Sequence, residues 1–197
     1  MSNIIAQAVG GAYPVVAYKS LTGTSAQPIT STAGGTALQL NVGGQILNGR
    51  SFEVICQGYV KAHGATQTLK MGLQGQLNAS TFSGTQLYTS ATASGVMTAG
   101  TVYPFYMRVC LFADNTSGIL SGFGVQCDGV TPTFVGGAIV SNLLTSVTFG
   151  SNNVGTSVTA PLASAQGVAL QFCPTITNSV ADTTEVFTVT SFYATSD

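Results

Sequence analysis

The sequence predicts an all-β chain: an antiparallel β-sandwich, jelly-roll-like, of about eight strands, with an extended N-terminal arm. Three observations carry this. Apolar residues recur at every second position in segment after segment, which is the period of a half-buried strand. Clusters of Gly, Ser, Thr, Asn and Asp separate those segments, as turns do. No segment sustains a helical period with caps, and the Gly, Thr, Ser and Val content disfavours one.

Residues 1–36 read differently from the rest, being rich in Gly, Ala, Ser, Thr and Gln, with Pro14 and Pro28 and little alternation beyond "YPVVAY". They are expected to form an extended arm that can lie along a neighbouring subunit through strand pairing. A loosely packed tail is the plainer alternative. Residues 37–197 are then the sandwich domain.

Within that domain the first clear strand is Ser51–Val60, where Phe52, Val54, Cys56 and Val60 share one parity and Ser51, Glu53, Gln57 and Tyr59 the other. Ile55 breaks the pattern. After "KAHGA", Leu69, Met71 and Leu73 alternate with Thr68, Lys70 and Gln74, so the two segments are expected to form a hairpin whose loop contains Gly64. Glu53 and Lys70 would then lie on adjacent outward faces and could pair. "SATASGVMTAGT", residues 90–101, reads as a long exposed loop.

"TVYPFYMRVCLF" puts Tyr103, Phe105, Met107, Val109 and Leu111 on one face and Arg108 on the other. Past the turn "ADNTSG", "GILSGFGVQCDG" puts Ile119, Phe123, Val125 and Cys127 on one face, completing a second hairpin. The last third repeats the habit with Val147 and Phe149, with Val168, Leu170 and Phe172, and with Phe187 and Val189. Between them "GSNNVGTS" and "PTITNSVADTT" read as turn-rich links.

Composition narrows function more than any motif does. Charged residues make up 6% of the 197, against roughly 25% in ordinary soluble domains, so the surface is built from hydroxyl, amide, glycine and small apolar groups. Such a surface suits the inside of an assembly. The five basic residues, Lys19, Arg50, Lys61, Lys70 and Arg108, are scattered, so no patch could neutralise several phosphates, and nucleic acid is not an expected partner. The N-terminus has no basic region and is broken by Gly10, Gly11 and Pro14, so it does not read as an export signal. No run approaches the roughly 18 apolar residues of a membrane helix. Neither export nor membrane insertion is expected, only synthesis in a cytoplasm.

Candidate chemistry is sparse. Cys56, Cys110, Cys127 and Cys173 lie far apart, without a paired CxxC and with one histidine to help them, so no zinc site is expected. Their positions inside apolar strand patterns point to buried free thiols rather than disulfides. His63 sits in a loop beside Lys61, with no nucleophile or orienting carboxylate in its vicinity along the chain, and is expected to be a solvent-exposed loop residue. Asp114 and Asp128 read as turn residues capping local amides, since a calcium loop needs a ladder of acids. "GGQILNG" and "VGGA" lack the lysine and strand-to-helix setting of phosphate loops. A carboxylate pair for glycan hydrolysis is hard to assemble from six acids. No catalytic, cofactor or metal residue is assigned.

The outward parity is more informative, because Ile55, Tyr59, Val102, Tyr106, Cys110 and Phe112 fall where a solitary sandwich prefers polar groups. Apolar residues on an outer face mark contact with a partner, or cover by the protein's own arm and loops. Ile55, Tyr59, Val102 and Tyr106, with Tyr13 and Tyr18 of the arm, are the candidate contact residues.

Taken in order, "GRSFEVICQGYV", "TLKMGLQG", the Thr- and Ala-rich loop, "YPFYMRVCLFADNTSGILSGFGVQ", "SVTFGSNN" and "TEVFTVTSFYA" resemble small structural proteins of tailed bacteriophages. In particular they resemble capsid decoration, or cement, proteins and related minor head proteins, over residues 49–193. It lies in order and texture and brings no catalytic motif. The resemblance implies a β-sandwich subunit, often trimeric, that binds the outside of an icosahedral shell and bridges neighbouring capsomers. The expected partners are the major capsid protein and further copies of the chain, and the expected location is the capsid surface of the virion. A tail, fibre or carbohydrate-recognising receptor-binding role is the rival expectation, with a shell or tail-tube subunit a further one.

Overall fold

Alternating apolar residues need a second layer to bury against, and two antiparallel sheets supply it. The computed structural model describes residues 3–9, 15–18, 25–30, 37–42, 51–63, 67–77, 85–89, 94–114, 119–128, 147–148, 170–180 and 186–196. These hold strands β1 (Asn3–Val9), β2 (Val15–Tyr18), β3 (Gln27–Pro28), β4 (Leu40–Asn41), β5 (Ser51–Lys61) and β6 (Leu69–Leu77). Then follow β7 (Thr85–Thr89), β8 (Val102–Asp114), β9 (Ile119–Asp128), β10 (Val147–Thr148), β11 (Leu170–Asn178) and β12 (Val186–Ser196). No helix occurs among the described residues, so the described part of the chain is all-β, as expected.

The larger sheet has the order β1-β12-β5-β8-β9-β10, with β2 also pairing β12; the smaller has the order β3-β11-β6-β7, with β4 also pairing β11. Each pairing is antiparallel. The inward parity of β5 (Val54, Cys56, Val60) and of β8 (Phe105, Met107, Val109, Leu111) meets Leu69, Met71 and Leu73 of β6 and Phe172 and Ile176 of β11 in one core. Burying one such side chain contributes about 1.5–3 kcal/mol, so this shared core is what holds the layers together. Ile29 and Leu38 join it from either side of position 36, and Leu38 N–H donates to Ile29 O at 2.7 Å.

Several expectations are corrected. β5 and β6 do not form a hairpin: β5 pairs β12 and β8, whereas β6 pairs β11 and β7 in the other sheet. Alternation says which face of a strand is buried, not which strand lies beside it. The chain leaving β5 is captured by residues 94–101, since Ala62 N–H donates to Thr101 O (3.0 Å) and Gly100 N–H to Ala62 O (2.7 Å). That segment is consequently no simple exposed loop. Met97 is 1% exposed and donates its N–H to Gln67 O (2.9 Å), and Ser94 is buried against Leu69 through bonds from Ser94 N–H to Leu69 O and from Leu69 N–H to Ser94 Oγ. "PTITN" is likewise strand, the second half of β11, where Pro174 faces Leu73.

The β8–β9 hairpin forms as expected, in register from Phe105↔Asp128 to Asp114↔Ile119. Its faces are the surprise. Val109↔Gly124 and Met107↔Gln126 place Gly124 and Gln126 inward, so the apolar parity of β9, including Val125 and Cys127, lies on the outer face. Buried Gln126 has a use there: its Oε1 accepts the N–H of Met71 from the opposite sheet at 2.6 Å, beyond the last β6–β7 ladder pair at Gly72↔Thr89. All four cysteines are free thiols, Cys56 and Cys173 buried, but Cys110 and Cys127 only half-buried.

Candidate interaction face

Directly opposed residues of antiparallel strands point to the same side, so register alone lays out the outer face of the larger sheet. One row runs Tyr193 (β12), Ile55 (β5), Arg108 (β8), Val125 (β9). The next runs Ser191, Gln57, Tyr106, Cys127. Beyond it lie Thr188, Tyr59 and Pro104, and then Tyr18, Val186, Lys61 and Val102. Down the middle of this grid, Gln57, Lys61, Pro104 and Arg108 are exposed, with Tyr59 38% and Val102 52% exposed. Val102 and Pro104 on β8 with Tyr59 alongside therefore make an apolar strip open to solvent, which half-buried Tyr106 continues.

Pro104 fits there for a backbone reason. The ladder between β8 and β9 ends at Phe105↔Asp128, so among the described residues Pro104 has no partner in register on that side of β8. A residue without an N–H is tolerated at such an edge.

Charge on the face is self-neutralising. Arg108 Nη2 donates to Glu53 Oε1, and the Cys110 thiol donates to the same oxygen at 3.5 Å. Its hydrogen bond to Glu53 lifts the Arg108 guanidinium above its already high value. Partial burial, helped by the Glu53 carboxylate, pushes the Cys110 thiol up. Burial likewise raises the Tyr106 phenol against the opposing pull of Arg108, with smaller upward contributions from Tyr193 and Glu53. At neutral pH the patch thus carries neutral Tyr106 and Cys110 around a single ion pair. On the other face of β8, Tyr103 ties down the segment that precedes the strand: its hydroxyl accepts Thr98 N–H at 2.8 Å, and hydrogen bonds from Thr98 hold that phenol below its ordinary value.

Three of the six candidate contact residues, Tyr59, Val102 and Tyr106, come together in the strip. Ile55 is on the same face but 8% exposed between Arg108 and Tyr193, so it supports neighbouring side chains rather than offering surface. Tyr18 occupies the register row of Val102, paired with Val186; Tyr13 lies outside the described residues. Pro104, Tyr193, Val125 and Cys127 share this face without being among the contact residues expected from outward parity. Tyr193 is hidden by a bulge between Val189 and Ser191 that inverts the parity of β12 at its midpoint.

His63 is exposed at the end of β5, and the expected Glu53–Lys70 pair gives way to Glu53–Arg108 because β5 and β6 are in different sheets. Among the described residues no three His, Cys, Asp or Glu side chains gather in a way that could hold a metal ion. No helix among them is long and apolar enough to cross a membrane. No family model, curated protein or solved structure matches the chain.

Proposed function

We propose that the chain is a non-enzymatic structural virion protein of the capsid decoration, or cement, kind. In this reading a jelly-roll body binds the outside of an icosahedral phage shell as a trimer and bridges neighbouring major capsid subunits. The observation that carries it is the uncharged, solvent-open strip of Tyr59, Val102, Pro104 and Tyr106 on a protein that is 6% charged. A face of this kind gains by exchanging water for another protein surface and gives up little charge solvation in doing so.

The strand order supports the jelly roll. β1-β12-β5-β8 lies opposite β3-β11-β6-β7, so that chain neighbours β5 and β6 are split between layers, as are β1 and β3 and also β11 and β12. In this reading the order corresponds to a double Greek key of eight strands, with β9 and β10 added to one edge. The N-terminal arm fits the edge position of β1: its pairing with β12 is one that a neighbouring subunit's β12 could offer equally. Multivalent attachment through a trimer lets modest contacts add up, and the low charge makes it insensitive to salt.

The test is the copy number of the chain relative to the major shell protein in purified native particles, by quantitative mass spectrometry. A simple fraction set by trimers on the lattice is expected. A few copies per particle would overturn the shell role and move the protein to the tail, with carbohydrate or other receptor recognition as its task.

A further inference from the structure

We infer that the outer face of the larger sheet, centred on Tyr59, Val102, Pro104 and Tyr106, is the surface through which copies of this chain contact one another. The inference deepens the proposed role and rests on it for the assembled state being the working one. Charge identifies the occupant. The Glu53–Arg108 pair neutralises itself on the face, leaving Lys61, opposite Val102, and Asp114, at the far end of β8, as one charge of each sign on the described outer positions of β5 and β8. A partner strongly charged in one sense would find a single opposite charge there to pair with, and burying its remaining charges would cost it solvation. A second copy, with five basic and six acidic residues in 197, offers a surface of matching polarity. Copies whose faces carry no net charge on these positions can meet without net repulsion.

Area sets the strength. Four strands about 4.8 Å apart, over the stretch of β8 from Val102 to Cys110, span about 19 by 30 Å, so the face amounts to about 600 Å². Stable specific interfaces take about 800 Å² from each partner. The whole face must therefore be used, not the strip alone, and the association is expected on the order of micromolar. Open positions on β5 and β8 leave the centre of the face accessible, while Ile55 beneath them is covered and stiffens it.

The experiment is sedimentation velocity on the full chain from about 1 to 100 μM. It compares wild type with Val102→Glu, with Tyr59→Ser, and with Val96→Glu, which adds the same charge at a 61% exposed position in the 94–101 segment. Wild type should self-associate over this range. Val102→Glu and Tyr59→Ser should each weaken association at least tenfold with unchanged circular dichroism, and Val96→Glu should leave it as in wild type. The milder Tyr59→Ser decides the matter if the charged variant misfolds. A wild-type chain that stays monomeric, face variants that associate normally, or a Val96→Glu chain that dissociates as readily would each overturn the inference. Self-association through this face in a protein present at few copies per particle would sink the shell role and leave the inference standing. Full occupancy of the shell by a chain that is monomeric in solution would do the reverse.

Discussion

Gly124 of β9 lies directly beneath the ring of Tyr88 of β7: a Cβ built on Gly124 would be 2.6 Å from Tyr88 Cε2 and 2.8 Å from Cζ. The ring is 2% exposed, so it has no free space to retreat into. This contact joins the added edge of the larger sheet to the edge strand of the smaller one. Gly124→Ala is therefore expected to destabilise the protein by about 1–3 kcal/mol, the usual cost of overpacking. Urea unfolding would check it, and Tyr88→Ala in the same chain tests the cause. The double variant should lose clearly less than the sum of the two single losses, whereas additive losses would disprove the contact.

Gly58 faces a harder obstacle. A Cβ there would stand 1.9 Å from Thr188 O and 3.0 Å from Val189 Cα, backbone atoms of β12 just before its bulge, where Thr190 Oγ1 donates to Gln57 O at 3.1 Å. A side chain can rotate away, but a paired strand cannot without losing its ladder. Gly58→Ala should cost about 3 kcal/mol or more and exceed Gly124→Ala. Equal midpoints for the two variants in the same urea titration would contradict this ordering.

Gln126 serves, beyond the described end of the β6–β7 ladder, as a side-chain partner for a strand amide. Its Oε1 satisfies the buried Met71 N–H at 2.6 Å, and Gln126 itself is 5% exposed. Gln126→Leu keeps most of the volume but leaves that amide without its acceptor, for an expected loss of about 1–3 kcal/mol. Amide hydrogen exchange at Met71 should accelerate in the variant while that at Met107, in the middle of β8, follows only the global change. Unchanged protection at Met71 would rule out the bond as its source.

These residues also mark where sequence reading succeeds and stops. The inner faces of β5, β6 and β8 are legible because one hydrophobic layer imposes a period of two on each strand. The partner of each strand is not, since Val54 or Leu69 alternates identically whichever strand lies beside it, and β5 and β6 were joined wrongly for that reason. On β9 the cue was inverted: inner positions hold Gly124 for the Tyr88 ring and Gln126 for an amide, while apolar Val125 and Cys127 face out. Of the interaction face, Tyr59, Val102 and Tyr106 could be picked by outward parity. Pro104 reads as punctuation until the end of the β9 ladder is known, and Tyr193 only after the bulge in β12.

Cys56 gives the fold a pH dependence whose sign can be worked out. Complete burial, reinforced by nearby Cys173, pushes its thiol far above the ordinary range, so the native state keeps the proton through all accessible alkaline pH. Unfolded, the same thiol ionises near pH ~8.5. Above that value the native state binds more protons than the unfolded one, and stability falls as pH rises. Below it the contribution is fully present and flat. The slope from this one thiol approaches ~1.4 kcal/mol per pH unit well above pH ~8.5. Urea unfolding at pH 7.5, 8.5, 9.5 and 10 under reducing conditions should show the decline. Cys56→Ala should be less stable at pH 7.5, because it leaves a cavity among Val54, Met107 and Phe192, yet decline less steeply above pH 8.5. Parallel curves for the two proteins would mean that the alkaline loss comes from groups other than Cys56.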